Sequence, residues 1–174
     1  MKKRLSILGS TGSIGVNTLE VVSQLKDEFD IIYLSTNKNT DLLLQQIKKF
    51  NPKTVSVANE PASYKIKDQL NSMGIELLTG RNGLLELAQR DDIDIMLNGL
   101  VGASGMEPTL YAIKAGVDVA LSNKESLVMA GDIINGALEE SGSNLFPVDS
   151  EHSAIWQCLV GEDMNDVDRI ILTG

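Results

Sequence analysis

Two carboxylates, Asp149 and Glu151, stand two residues apart in the run Pro147-Val148-Asp149-Ser150-Glu151-His152-Ser153, the densest group of chemistry-bearing side chains in the chain. In extended or turning backbone that spacing puts both carboxylates on one side. Paired hard oxygens with hydroxyl neighbours suit Mg²⁺ or Mn²⁺, which keep positions open for water and substrate. General acid/base work is a second reading. Helix capping is a third, with Asp149 or Ser150 as N-cap and acids in the first turn. His152, the only histidine, reads as a group that hydrogen-bonds and orients a carboxylate rather than as a metal ligand. Trp156 and Cys158 are expected to pack against the core.

A second polar group is Ser122-Asn123-Lys124-Glu125-Ser126-Leu127, after the apolar run Val117–Leu121. Polar side chains where a strand ends and a helix opens are what a polar substrate needs for orientation. The local alternative is an N-cap at Ser122 or Asn123 completed by Glu125 as a capping box. Lys124 would oppose the helix dipole in a first turn, which favours a ligand-directed role.

The third group is Gly9-Ser10-Thr11-Gly12-Ser13-Ile14-Gly15, between the apolar run Leu5–Leu8 and a helical pattern with Ile14, Leu19, Val21, Val22 and Leu25. A strand, a glycine turn and a helix in that order form a cradle for a dinucleotide pyrophosphate. Gly9 permits the tight turn, Gly12 lets the backbone approach the phosphates and Gly15 lets helix and strand pack closely. Thr11 and Ser13 add hydroxyl donors, and the helix presents unpaired N–H groups to the anion. A glycine-rich turn without a ligand is the bland alternative.

Cofactor preference is read at the end of the next strand, Leu34-Ser35-Thr36-Asn37-Lys38-Asn39. A site for the unphosphorylated dinucleotide usually has Asp or Glu about 20 residues after the glycines, and none stands here. Lys38 would attract a 2′-phosphate and Asn39 could donate to it, so the preference is for NADPH. The local alternative is a solvated turn before a helix capped by Asn39 or Thr40. Residues 98–105, Asn-Gly-Leu-Val-Gly-Ala-Ser-Gly, form another glycine-rich loop at a strand end. They either pass close to the nicotinamide half or make a plain turn.

These groups need a scaffold that brings strand ends together. Short apolar runs near 4–8, 30–36, 54–57, 75–78, 93–97, 117–121, 144–148 and 168–172 alternate with helical patterns near 13–26, 40–49, 61–73, 81–90, 105–115, 124–140 and 151–160. That rhythm predicts an α/β fold, a doubly wound, Rossmann-like, mostly parallel sheet with helices on both faces. Leu42, Leu43, Leu44, Ile47, Leu70, Met73, Leu84, Leu85 and Leu87 are expected in the core. Asp91, Asp92 and Asp94 read as a solvated loop rather than a metal site. The rhythm changes near Pro147, and a domain boundary is placed there, giving 1–147 and 148–174.

The 174 residues are 43% hydrophobic and 22% charged, with net charge -9. An acidic chain without basic runs argues against nucleic acid and anionic membrane surfaces as partners. No apolar run approaches the roughly 20 residues that span a bilayer. Lys2-Lys3-Arg4 is followed by too short an apolar stretch for a signal peptide. One cysteine makes no internal disulfide, which points to a reducing, cytoplasmic compartment.

Taken together, the glycine turn, the Asn-Lys-Asn turn, Ser-Asn-Lys-Glu-Ser-Leu-Val and Pro-Val-Asp-Ser-Glu-His-Ser-Ala-Ile closely resemble the 1-deoxy-D-xylulose 5-phosphate reductoisomerases. Those enzymes are NADPH- and divalent-metal-dependent and act in the non-mevalonate isoprenoid pathway. The resemblance implies that Thr11, Gly12, Ser13 and Ile14 contact the NADPH pyrophosphate, with Gly9 shaping the turn. Asn37, Lys38 and Asn39 would lie at the 2′-phosphate end, and Asn123 and Glu125 at the nicotinamide side. Lys124 and Ser150 would contact the sugar phosphate, and Asp149 and Glu151 would ligate Mg²⁺ or Mn²⁺, Glu151 touching substrate as well. Lys124, Asp149 and Glu151 would be the catalytic set. Asn37 replaces the family's usual glycine and is expected to adopt the same left-handed backbone.

The resemblance also implies that 148–174 begins an α+β catalytic domain, continued in the family by a third metal-binding glutamate, a phosphate site and a lid. The family's whole enzyme would be a homodimer. The 174 residues alone are expected to bind cofactor without turnover. Another NADP-dependent dehydrogenase of small metabolites, such as a semialdehyde or homoserine dehydrogenase, and a non-catalytic dinucleotide-binding module are the competing readings.

Overall fold

A computed structural model describes residues 1–171. Seven strands form one sheet: β1 (Lys3–Leu8), β2 (Phe29–Thr36), β3 (Thr54–Val57), β4 (Glu76–Thr79), β5 (Ile95–Asn98), β6 (Asp118–Leu121) and β7 (Leu145–Pro147). Their order is β4-β3-β2-β1-β5-β6-β7, and every neighbouring pair is parallel. The helices are α1 (Ser13–Gln24), α2 (Thr40–Phe50), α3 (Glu60–Met73), α4 (Gly80–Ala88), α5 (Met106–Lys114), α6 (Lys124–Ser141) and α7 (Ser150–Leu159). This is the doubly wound α/β arrangement expected from the alternation.

Parallel strands buried on both faces split the core into two layers. Successive side chains point to opposite faces, so Ile7 packs beneath α1–α3 with Leu19, Leu43, Ile47 and Leu70. Its neighbour Leu8 packs beneath α4–α6 with Leu87, Met96, Ile113 and Ile134. The chain runs outward from β1 to β4, then crosses back to β5 beside β1. That reversal leaves a crevice beyond the carboxyl ends of β1 and β5, where open α/β sheets bind ligands.

Most sequence-read elements agree with the structure, and the differences have local causes. The strand expected near 168–172 is absent over 168–171, which carry no regular structure; Leu172 lies outside the described residues. Trp156 and Cys158 are not core residues. Trp156 is 48% exposed and Cys158 is exposed, because α7 leaves the sheet edge and buries none of its residues. Trp156 packs edge-on to Phe146 instead, ring centroids 6.5 Å apart. Met73 is likewise exposed at the end of α3, and Leu42, Leu44 and Leu85 are half-buried. Helix α6 breaks at Ala130 (φ -144°, ψ 28°), next to Gly131, where helix propensity is weakest.

Two carboxylates of the acidic stretch 91–94 are tied to the sheet rather than loose. Asp94 grips Arg4 through Arg4 Nη2–Oδ1 at 2.7 Å and receives the Arg4 backbone N–H at 2.7 Å. Asp92 accepts the Tyr33 hydroxyl. Both ties lock the amino end of the sheet, far from the crevice.

Packing between β1 and α1 leaves no room at Gly15, where a Cβ would lie 2.4 Å from the Gly9 carbonyl oxygen and 2.5 Å from Ser10 Cα. Gly136, inside α6, has nothing within 4 Å of such a Cβ. Gly15→Ala is expected to cost about 2 kcal/mol or more through forced backbone displacement. Gly136→Ala is expected to gain up to about 1 kcal/mol from helix propensity. Urea unfolding midpoints of the two variants measure both.

Candidate functional site

All the sequence-read site residues come to one edge of the sheet. Gly9 to Ile14 follow β1, Asn37 to Asn39 follow β2, Asn123 to Glu125 open α6, and Asp149 to Glu151 open α7.

At the first turn Gly9 takes φ +79° and its N–H donates to Ser35 Oγ at 3.0 Å. Ser10 is fully buried; its N–H donates to the Ser35 carbonyl at 2.8 Å and its hydroxyl to Gln46 Oε1 at 2.7 Å. Gln46 Nε2 returns a bond to the Ser10 carbonyl at 2.8 Å. The Thr11 hydroxyl lies 2.6 Å from that of Thr36. A buried amide on α2 and the end of β2 therefore clamp the turn from both sides. Gly12 is the N-cap of α1, which has no side-chain cap, and the first intrahelical bond runs from Val16 N–H to the Gly12 carbonyl at 2.9 Å. The amides of Ser13, Ile14 and Gly15 thus precede the helical ladder and point an open donor set at the crevice.

The crevice has a cavity volume of about 520 Å³, a size typical of small-ligand sites. Gly9, Thr11 and Gly12 line its floor, with Asn37 and Asn39 at the β2 tip. Ala58, Arg81 and Leu84 line one wall, and Gly99, Leu100, Val101 and Ser104 line the other. The loop after β5 is therefore part of this crevice. Asn39 caps α2, accepting the Leu42 N–H at 3.3 Å, which leaves its amide nitrogen as a donor. Lys38 is exposed and has no carboxylate partner among the described residues. Asn37 is not in left-handed backbone as expected: Asn51 is the one non-glycine with positive φ among the described residues. The turn closes without it, because the Asn59 N–H donates to the Asn37 carbonyl at 3.0 Å.

Asn123 has a different place from Lys124 and Glu125. It is 1% exposed, and its Nδ2 donates to the carbonyls of Leu100 and Gly102, both at 2.7 Å. Its Oδ1 accepts the N–H of Ser126 at 2.9 Å and the Ser126 hydroxyl at 2.6 Å. Asn123 caps α6 and fastens the loop after β5, so it shapes the crevice wall with every side-chain group already paired. Ser126, not Glu125, completes the cap. Glu125 is exposed at the same helix start.

Lys124 reaches across to α7, its Nζ 2.8 Å from Glu151 Oε1. The Ser150 hydroxyl donates to Glu151 Oε2 at 2.9 Å. Hydrogen bonding from Lys124, then from its own backbone and Ser150, holds the Glu151 carboxyl down at about 2, and the same partner raises the Lys124 ammonium. Asp149 caps α7 through the His152 N–H at 3.1 Å and lies 2.6 Å from His152 Nδ1. His152 thus hydrogen-bonds a neighbouring carboxylate, as its place in the sequence suggested. The donor set is oxygen only, which fits a hard divalent cation. It numbers two carboxylates, since no group of three or more acidic, His or Cys side chains close enough for a metal occurs among the described residues. A cation on Glu151 would compete with Lys124 for it. Beside this cluster, Ser150 and Glu151 also border a cavity of about 510 Å³ between α7 and residues 167–171, lined mainly by Ile155, Leu159, Val167, Ile170 and Ile171.

Sequence reasoning missed Ser35, Thr36, Gln46 and Arg81. Gln46 alone left a signal: it stands three residues after Leu43 on the apolar face of α2, where a buried amide must have partners.

An open, uncapped helix start at the reversal point of a parallel sheet marks a domain of the doubly wound α/β class, here with a lysine–carboxylate cluster on the same edge. The chain belongs to the 1-deoxy-D-xylulose 5-phosphate reductoisomerase family: that family's model matches residues 5–131, and the model of the family's C-terminal domain matches residues 145–174. The 1-deoxy-D-xylulose 5-phosphate reductoisomerase of Chloroherpeton thalassium is 49% identical over 171 residues, 98% of this chain and 44% of that protein. The chain thus spans under half the length of the curated relatives it matches. The solved Zymomonas mobilis reductoisomerase in complex with NADPH superposes with TM-score 0.86 at 37% identity, covering 91% of this chain and 41% of that one. A reductoisomerase complex with NADPH, fosmidomycin and magnesium gives TM-score 0.85 at 35% identity, covering 90% of this chain and 38% of that one.

The depressed Glu151 carboxyl gives a pH prediction. A carboxyl held below its ordinary 4.5 favours the paired state above that value and loses it as pH falls toward about 2. Glu151 therefore titrates near pH 2 by carboxyl-carbon NMR, and Lys124→Met moves the titration up toward 4.5.

Proposed function

We propose that this chain carries the NADPH-binding part and the first catalytic residues of an enzyme that isomerises and reduces 1-deoxy-D-xylulose 5-phosphate to 2-C-methyl-D-erythritol 4-phosphate, a step in isoprenoid precursor synthesis. The observation that carries the reading is the uncapped start of α1, opening on the sheet edge that also holds Lys124 and Glu151.

The amides of Ser13, Ile14 and Gly15 hold the pyrophosphate, with Thr11 and Gly12 against it. Lys38 supplies the charge for the 2′-phosphate, and the Asn39 amide and the Asn37 turn border it. Asn123 and Glu125 stand on the nicotinamide side, Asn123 also fastening the loop after β5 from behind. Bound NADPH supplies the hydride for the reduction. Asp149 and Glu151 hold Mg²⁺ or Mn²⁺, which supplies Lewis acidity toward paired carbonyl and hydroxyl oxygens. His152 keeps Asp149 in orientation, and Ser150 orients Glu151 and reaches the sugar phosphate. Lys124, released from Glu151, offsets negative charge developing on substrate oxygen. The net charge of -9 does not attract an anionic substrate, so these local cations must.

The division at 147/148 into a cofactor domain and the start of a catalytic domain is supported by α7, which leaves the sheet and buries no residue. A cytoplasmic setting is supported by the exposed, unpaired Cys158. Among the described residues no helix is long and apolar enough to cross a membrane. Exposed Val128, Met129 and Ile133 on α6 support a homodimer of the whole enzyme or further chain packed over this face.

Fluorescence titration is expected to show NADPH binding in preference to NADH. Lys38→Ala should weaken NADPH by about tenfold, the worth of one charge-assisted contact, and leave NADH nearly unchanged. Equal wild-type affinities for the two would contradict the Lys38 assignment. Mixed with 1-deoxy-D-xylulose 5-phosphate, NADPH and Mn²⁺, the 174 residues alone should give negligible product, because two carboxylates underfill an octahedral site. Measurable turnover would contradict that.

A further inference from the structure

We propose that Arg81 and Val101 form a slot for the purine base of the dinucleotide, with the Arg81 guanidinium lying against the ring face. The proposal rests on the dinucleotide reading above and assigns the group that holds its adenosine end.

Geometry along the crevice selects the place. With pyrophosphate at Gly12 and ribose at Asn39, the base must continue to a wall, and the walls are the α4 side, with Arg81 and Leu84, and the turn after β5, with Val101. These two walls are joined. Arg81 Nη1 donates to the Ser104 carbonyl at 2.7 Å, and the Ser104 hydroxyl donates to the Val101 carbonyl at 2.8 Å. Val101 is 85% exposed and lines the crevice, so it is an apolar surface that a flat ligand would cover.

Chemistry selects the base over a phosphate. Arg81 is the one cation among the residues lining the crevice, and no aromatic side chain lines it. A planar base therefore has one planar cation to stack on. Arg81 already pairs with Glu107, which cancels much of its attraction for a dianion. The Arg81 side chain is 37% exposed, and no aromatic ring among the described residues stacks on it. Lys38, with no such partner, is left to the 2′-phosphate. Guanidinium–ring stacking is favourable when the ring face is covered.

The test exploits the fact that NADPH and NADH share the base and differ at the phosphate. Affinities for both are measured by fluorescence for wild type, Arg81→Ala, Val101→Ser and Glu107→Ala, with folding checked by circular dichroism. Arg81→Ala is expected to weaken both dinucleotides by about tenfold, and Val101→Ser both by about threefold, with the NADPH/NADH ratio unchanged within about twofold. Glu107→Ala, which removes the ion pair and keeps the Ser104 tether, should leave both within about twofold.

The proposal is overturned if Arg81→Ala weakens NADPH much more than NADH, since Arg81 would then read the phosphate. It is also overturned if Glu107→Ala weakens binding as much as Arg81→Ala, since the strap alone would then matter. Wild-type affinity in Val101→Ser overturns it even if Arg81→Ala fails to fold. Loss of binding to both dinucleotides in wild type itself overturns the dinucleotide reading rather than the slot.

Discussion

Helix α1 starts so close to β1 that position 15 admits no side-chain carbon: a Cβ there would sit 2.4 Å from the Gly9 carbonyl oxygen. That contact sets where the helix axis begins and therefore where its first free amides point. Uncapped amides cost free energy when desolvated without an acceptor, so the arrangement is stable only if water or an anion serves them. Four helices on the same edge are closed by side chains, α2 by Asn39, α3 by Asn59, α6 by Asn123 and α7 by Asp149. Helices α4 and α5 also lack a side-chain cap, but α1 is the uncapped start that follows the central strand β1 at the reversal point, and the clamp of Ser10, Ser35 and Gln46 holds it in place.

The remaining polar groups divide into those that hold the crevice walls and those that stand exposed along the same sheet edge. Asn123 and Asn98 are buried and tie the loop after β5 to the helices, Asn98 through the Gly105 carbonyl and the Thr109 hydroxyl of α5 at 2.8 Å each. Removing Asn123 would take the side-chain donor from the Leu100 and Gly102 carbonyls and loosen the wall. Lys38, Lys124 and Glu151 stand exposed, where their charges reach solvent and ligand. In an acidic chain, cations placed only at such points give local attraction without a broad positive field.

The βα rhythm, the glycine turn, the polar starts of α6 and α7, and the strand β3 at 54–57 were all legible in the sequence, because each depends on spacing within a short window. The sequence placed a cap at Asp149 or Ser150 and a hydrogen-bonding histidine beside the carboxylates, and in the structure both fall to Asp149. Long-range pairing was not legible. Ser35, Gln46 and Arg81 gain their roles from partners 23 to 36 residues away, and nothing local marks them except the apolar company of Gln46. The misplacement of Trp156 and Cys158 has the same origin. An apolar pattern shows that a face can be covered, and does not show that β7 at the sheet edge lets α7 swing away. Asn37 differed from expectation because the family's glycine invited a left-handed turn that an ordinary backbone bond from Asn59 makes unnecessary.

The central claim is that the first amides of α1 grip a phosphate diester. Amide chemical-shift mapping during titration with ADP-ribose, which has the pyrophosphate but no nicotinamide or 2′-phosphate, tests it most directly. The account predicts that the largest saturating shifts fall on Gly12 to Gly15. Saturable binding whose largest shifts fall on α7 or away from this edge, with those four amides unmoved, would contradict it.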